Sequence, residues 1–138
     1  MKIIHDLEST VRPPEVQIGP TGRWMHYDIT PVTVKRDGED DYDAYQYDGY
    51  WFDLGEFEAL EAGILPDGAQ WDDRLHAVYR RALHHVTDDL YMIANRMVRD
   101  TDSDDWRDYR RALDAWNESV SAMADGYSTN VPKLPEAP

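Results

Sequence analysis

Two apolar stripes dominate the second half of the chain. Trp71, Leu75, Tyr79, Ala82, Val86, Leu90, Ile93 and Met97 recur in steps of three and four, the period of one helix face. Trp106, Tyr109, Leu113, Trp116, Val120 and Met123 repeat the pattern. The spacing predicts helices over about 71–99 and 103–124. The connection between them is short enough to make them antiparallel neighbours, a long helical hairpin. Ser103 suits an N-cap, with Asp104 and Asp105 in the first turn where the helix dipole favours acid. Asp125-Gly126 ends the second helix. Thr87-Asp88-Asp89 could cap a new helix, which makes residue 87 a place where the first could break. At roughly 1.5–3 kcal/mol per buried stripe residue, Trp106, Tyr109, Leu113, Trp116, Leu90 and Ile93 are expected to form the structural core.

The first half reads differently. Trp24–Thr30 and Val32–Val34 are rich in β-branched and aromatic residues, as are Tyr42–Phe52, and Asp37-Gly38 marks a turn between them. Two to four short antiparallel strands are expected over 24–53, followed by a short helix over about 55–63. Residues 1–23 carry Pro13, Pro14, Gly19, Pro20 and Gly22. Proline donates no ladder hydrogen bond, so this stretch is expected as an extended arm with at most a short edge strand. Residues 127–138 form a proline-rich tail suited to polyproline II. The expectation is an α+β fold: one domain over 24–126, a small N-terminal antiparallel sheet, the helical hairpin and two extended arms.

Charge and residue types narrow the functions. The net charge is −14, and residues 1–70 hold fifteen acids against five bases, a balance of −10. Phosphate contacts need clustered Lys and Arg, so nucleic acid and anionic membrane are not expected partners. The chain has no cysteine, which favours a reducing compartment. Met1–Asp6 turns acidic too soon for a signal peptide. Asp37, Glu39, Asp41 and Asp43 alternate but lack the glycine and glutamate register of a calcium loop. His76, His84 and His85 lack zinc-protease spacing, and no serine sits in a nucleophile elbow. No metal, cofactor or enzymatic activity is expected. Arg80, Arg81, Arg107, Arg110 and Arg111 are read as surface cations paired with nearby acids.

Binding of protein is the reading that remains. Strand side chains alternate between faces, and Tyr45, Tyr47, Tyr50 and Trp51 are more rings than one covered face needs. Exposed Tyr and Trp are frequent binding anchors. Val131, Pro132, Leu134 and Pro135 lie in an extended tail that is cheap to dock. These eight residues are the expected partner-binding set.

The run Asp105-Trp106-Arg107-Asp108-Tyr109-Arg110-Arg111-Ala112-Leu113, preceded by a helix with Arg96 and an Asp-rich connection, resembles the W-x-x-Y-R-x-x-L segment of bacteriophage tail-fibre assembly proteins. The ending with Val131, Pro132, Leu134, Pro135 and Pro138 is similar to that family's P-x-x-P close, although Lys133-Leu134 stands where the family usually has a tryptophan. The likeness covers about 40 of the 138 residues. It implies a chaperone or accessory protein that binds a fibre or tail subunit in the host cytoplasm, and then leaves or stays in the virion. The alternatives are a permanent part of the tail or baseplate, or an acidic inhibitor or adaptor that binds a basic host protein. Self-association is a further expectation.

Overall fold

The computed structural model describes residues 1–123 and 129–138. The expected helix stop at Asp125-Gly126, and the first two tail residues, lie outside the described residues. The fold is α+β, with a small antiparallel four-stranded sheet followed by helices. Its contacts group the chain into two compact units, Met1–Ala59 and Leu60–Pro138.

The first unit holds β1 (Lys2–Ser9), β2 (Val16–Ile18), β3 (Gly22–Val34), β4 (Tyr42–Asp53) and most of α1 (Leu54–Glu61). The strand order is β1-β4-β3-β2, with every neighbouring pair antiparallel. The expected N-terminal arm is therefore mostly sheet, since it supplies both edge strands. Pro13, Pro14 and Pro20 fall in the connections, so no ladder bond is lost to them. Asp37–Asp41 is a turn as expected, closed by Arg36, which donates from Nε and Nη2 to the Asp40 carbonyl at 3.1 and 2.9 Å. Asp53 and Glu56 cap α1 reciprocally. The Asp53 carboxylate accepts from the Glu56 N–H at 2.7 Å, and the Glu56 carboxylate accepts from the Asp53 N–H at 3.1 Å.

Both neighbours of β4 carry an extra residue at the same level. The register of β1 slips between Ile4 and Leu7, and that of β3 between Tyr27 and Thr30. Each slip holds an aspartate in the left-handed region, Asp6 at φ 58° and Asp28 at φ 53°. Asp tolerates that region better than bulky residues do. The Asp6 N–H donates to the Asp48 carboxylate across the step, at 3.2 Å.

The second unit holds α2 (Asp73–Val86), α3 (Asp88–Thr101) and α4 (Asp104–Ala122). The helix expected over 71–99 is thus two helices. Thr87 stands at the junction, where its hydroxyl donates to the His84 carbonyl at 2.9 Å. Asp72 caps α2 by accepting from the Leu75 N–H at 2.7 Å. The connection after α3 turns on Asp102 at φ 52°. Ser103 stands at the N-cap of α4 as expected, but its side chain makes no capping bond.

Polar pairs fix the direction of α4. Arg110 donates to Asn95 at 3.2 Å, Tyr91 to Asp114 at 2.6 Å and Asn117 to Thr87 at 3.0 Å, and Ser121 meets His84 at 3.2 Å. One number rises as the other falls, so α4 runs antiparallel to α3. Ala94, Tyr109 and Leu113 are buried together, with Leu90, Tyr91 and Trp106 packed on them. Trp116 is also buried. Ile93 is not part of this core; it is 49% exposed. The helix restarts after Thr87, and its inward side follows Leu90, Tyr91 and Ala94, which leaves Ile93 outside.

The phenols in this unit make it sensitive to alkali. Tyr79 is pushed above its ordinary pKa by burial. Tyr91 is raised by burial first and then by its hydrogen bond to Asp114. A phenol whose folded pKa is raised gives stability that is full below the unfolded value of 10.0 and is lost as pH climbs past it. We expect the helical melting temperature to hold up to about pH 10 and to fall above it. In Tyr91→Phe the fall should be shallower; equal slopes in the two proteins would count against this assignment.

Candidate functional site

Alternation along β4 sorts its side chains into two sets. Tyr42, Ala44, Gln46, Asp48, Tyr50 and Phe52 share one face; Asp43, Tyr45, Tyr47, Gly49, Trp51 and Asp53 share the other. The register then assigns β3. Met25 lies opposite Tyr50 and Tyr27 opposite Asp48, while Trp24 lies opposite Trp51 and His26 opposite Gly49.

The first face is a core. Met25, Tyr27, Ala44, Tyr50 and Phe52 are buried. Phe57 of α1 meets Phe52 edge-on at 6.5 Å, and the Arg23 guanidinium lies 5.9 Å from the Phe57 ring. Tyr50, expected to bind a partner, belongs here. It is 6% exposed and meets Tyr27 edge-on at 6.1 Å, because its even position in the strand turns it to the covered side.

The second face is an aromatic strip. Trp24 and Trp51 sit directly opposite each other with ring centres 5.3 Å apart. Trp24 stacks on His26 at 6.0 Å and 17°, and His26 meets Tyr47 edge-on at 5.0 Å. Trp24, Tyr45, Tyr47 and Trp51 are all half-buried, and His26 is buried beneath them. The Pro14 carbonyl lies 2.7 Å from His26 Nδ1. A carbonyl only accepts, so Nδ1 carries the proton and the ring is fixed.

Gly49 makes room for the strip. A side chain there would come within 2.9 Å of both Leu7 and the Trp24 ring. Beyond Tyr45 the strip opens into a groove of about 450 Å³ lined by Thr10, Pro31, Val32, Thr33, Asp43 and Ala44. Carboxylates stand at both ends on β4, Asp43 and Asp53, each exposed. Rings that hold one another offer large contact area at small entropy cost, and their faces attract cations.

The sequence pointed to Tyr45, Tyr47 and Trp51, which share this strip, and missed Trp24 and His26 as members. The signal was present in the alternation of Trp24 and His26, but the strand pairing that brings them onto β4 is not written in either segment.

The expected tail residues lie in the second unit. Pro132 is exposed, and Val131, Leu134 and Pro135 are half-buried. The Trp116 indole donates to the Pro132 carbonyl at 3.0 Å, so the tail is tied to α4 rather than free along its length. Thr129 packs on Gly63, where an added side-chain carbon would come within 2.8 Å of it.

Among the described residues no group of three or more His, Cys, Asp or Glu is placed to hold a metal ion. No helix among them is long and apolar enough to cross a membrane. The chain matches no family model, no curated protein and no solved structure.

Proposed function

We propose that this chain is a protein-binding accessory factor that serves the folding or assembly of a bacteriophage tail-fibre or tail subunit in the host cytoplasm. The observation that carries the binding reading is the half-exposed strip of Trp24, Tyr45, Tyr47 and Trp51, in which Trp24, Tyr47 and Trp51 are ordered by ring contacts with one another and with His26, and which opens at one end into a groove. The phage reading rests on the resemblance of the last third. It is supported by how the resembling residues are used. Trp106, Tyr109 and Leu113 gather in one cluster, Arg110 bonds across to α3, and the proline tail is held by Trp116. On this reading α3 and α4 act as a helical hairpin that presents the tail, while the sheet grips the partner.

The acids at both ends of the strip favour a second reading, an adaptor for a basic protein. The two separate by salt. Capture through rings persists at high ionic strength, whereas capture of a basic protein weakens steeply.

The test is co-expression with a tail-fibre subunit, followed by affinity capture. Changing Tyr45 and Tyr47 together to Ser should abolish capture while the helical signal and melting point stay near those of the parent. Removing residues 129–138 should weaken capture. If both variants capture the fibre fully, the strip and tail are not the binding surface.

A further inference from the structure

Helix α3 buries apolar residues on one side and exposes two, Met92 and Ile93, among charges on the other. One side turns Leu90, Tyr91 and Ala94 toward Tyr109 and Leu113. At about 100° per residue, the side opposite Ala94 carries Asp89, Met92 and Arg96, with Ile93 at its flank. Met92 is 60% exposed and Ile93 49%, and Asp89 and Arg96 are exposed as well. Other exposed charges on this helix are engaged: Arg99 pairs with Asp100, and Asp88 with His85. Among the described residues, neither Asp89 nor Arg96 takes part in an ion pair within the chain.

The order of these four residues complements itself. Asp89 lies three residues before Met92, and Arg96 lies three residues after Ile93. When two copies of α3 are laid antiparallel about a two-fold axis between Met92 and Ile93, the two Met92 side chains meet on one side of the seam and the two Ile93 side chains on the other. The same operation sets each Asp89 against the other copy's Arg96. A parallel alignment in register would set Asp89 against Asp89 and Arg96 against Arg96. A two-fold contact requires a surface that is its own complement, and this one is.

We propose that the outer face of α3 is a docking site for a second copy of the chain, forming an antiparallel two-fold dimer centred on Met92 and Ile93. The face lies in the second unit and uses none of the residues of the aromatic strip. A helix of 14 residues gives a strip only about 21 Å long, so the dimer belongs with the small, weak interfaces.

Sedimentation velocity of the purified chain, from about 10 µM to 1 mM, should show a concentration-dependent monomer–dimer exchange. Asp89→Arg and Arg96→Asp should each weaken it by about tenfold or more, because each places two like-charge pairs in the contact. An equimolar mixture of the two variants should recover association as a heterodimer, since one then offers only cations and the other only carboxylates. Both positions are exposed, so the helical circular dichroism should not change. A parent protein that stays monomeric at the highest concentration overturns the proposal. So does a dimer indifferent to both reversals, or a mixture that fails to recover.

Discussion

Leu113→Ala should lower the unfolding free energy by about 2–5 kcal/mol. Leu113 is fully buried and sits with Ala94 and Tyr109, walled by Leu90, Tyr91 and Trp106. Ala94 is already small and cannot reach into the space the leucine leaves. The rings beside it are held as well, Trp106 against Tyr109 at 5.7 Å and Tyr91 by its bond to Asp114. The site therefore collapses poorly, and a persisting cavity puts the loss toward the upper part of the range. The control is Ile93→Ala. Both residues belong to apolar stripes of the sequence, yet Ile93 faces outward, and its truncation should cost no more than about 0.5 kcal/mol. Urea titrations followed by helical circular dichroism measure both. Equal losses would mean that the two positions are equally buried, and would remove the assignment of the outer face of α3.

Gly22→Ala should destabilise the sheet by overpacking. The added carbon would stand 2.2 Å from the Phe52 carbonyl oxygen and 2.6 Å from the Trp51 ring. The ring could shift, but the carbonyl belongs to the backbone of β4. Moving it means giving up the pairing of Gly22 with Asp53 and of Arg23 with Phe52. Phe52 is itself fully buried, so its strand cannot back away. Overpacking of this kind costs about 1–3 kcal/mol and sometimes more. Gly49→Ala should cost less, since its neighbours are the side chains of Leu7 and Trp24. The two variants differ in a second way. Gly49→Ala should disturb the near-ultraviolet signal of the Trp24–Trp51 pair at temperatures where the sheet is still folded, whereas Gly22→Ala should lower the melting temperature of the sheet. A Gly22→Ala protein with an unchanged sheet transition would refute the close approach.

Local pattern made the helices legible. The steps of three and four located α2, α3 and α4, and Thr87-Asp88-Asp89 marked the place where the first stripe breaks. The consequence of that break was not legible. A helix that restarts chooses its inward side by what α4 offers, so Leu90 turned in with Ala94 while Ile93 turned out. Prolines misdirected the reading of residues 1–23, because they punctuate the connections and leave Lys2–Ser9 and Val16–Ile18 free to pair. For the candidate site, the excess of rings in 45–51 was visible. Alternation alone could not say which parity faces the core, and so it could not separate Tyr50 from Tyr47 and Trp51. That choice is made by Met25, Tyr27 and Phe57, which come from other segments.

The paired slips on either side of β4 bear on how the sheet ends. The open margin of a sheet is an invitation to other strands. Strand β1 lies at the margin of the sheet with Ile3 and Ile4 exposed, a sequence that would otherwise template further strands. The extra residue at His5-Asp6 throws the marginal strand out of step partway along its length, and its charges make regular continuation costly. The matching slip on β3 lets the inner strands follow the same change of course, so the margin is spoiled without unzipping the middle. The sheet can thus offer rings from its face while refusing growth at its border.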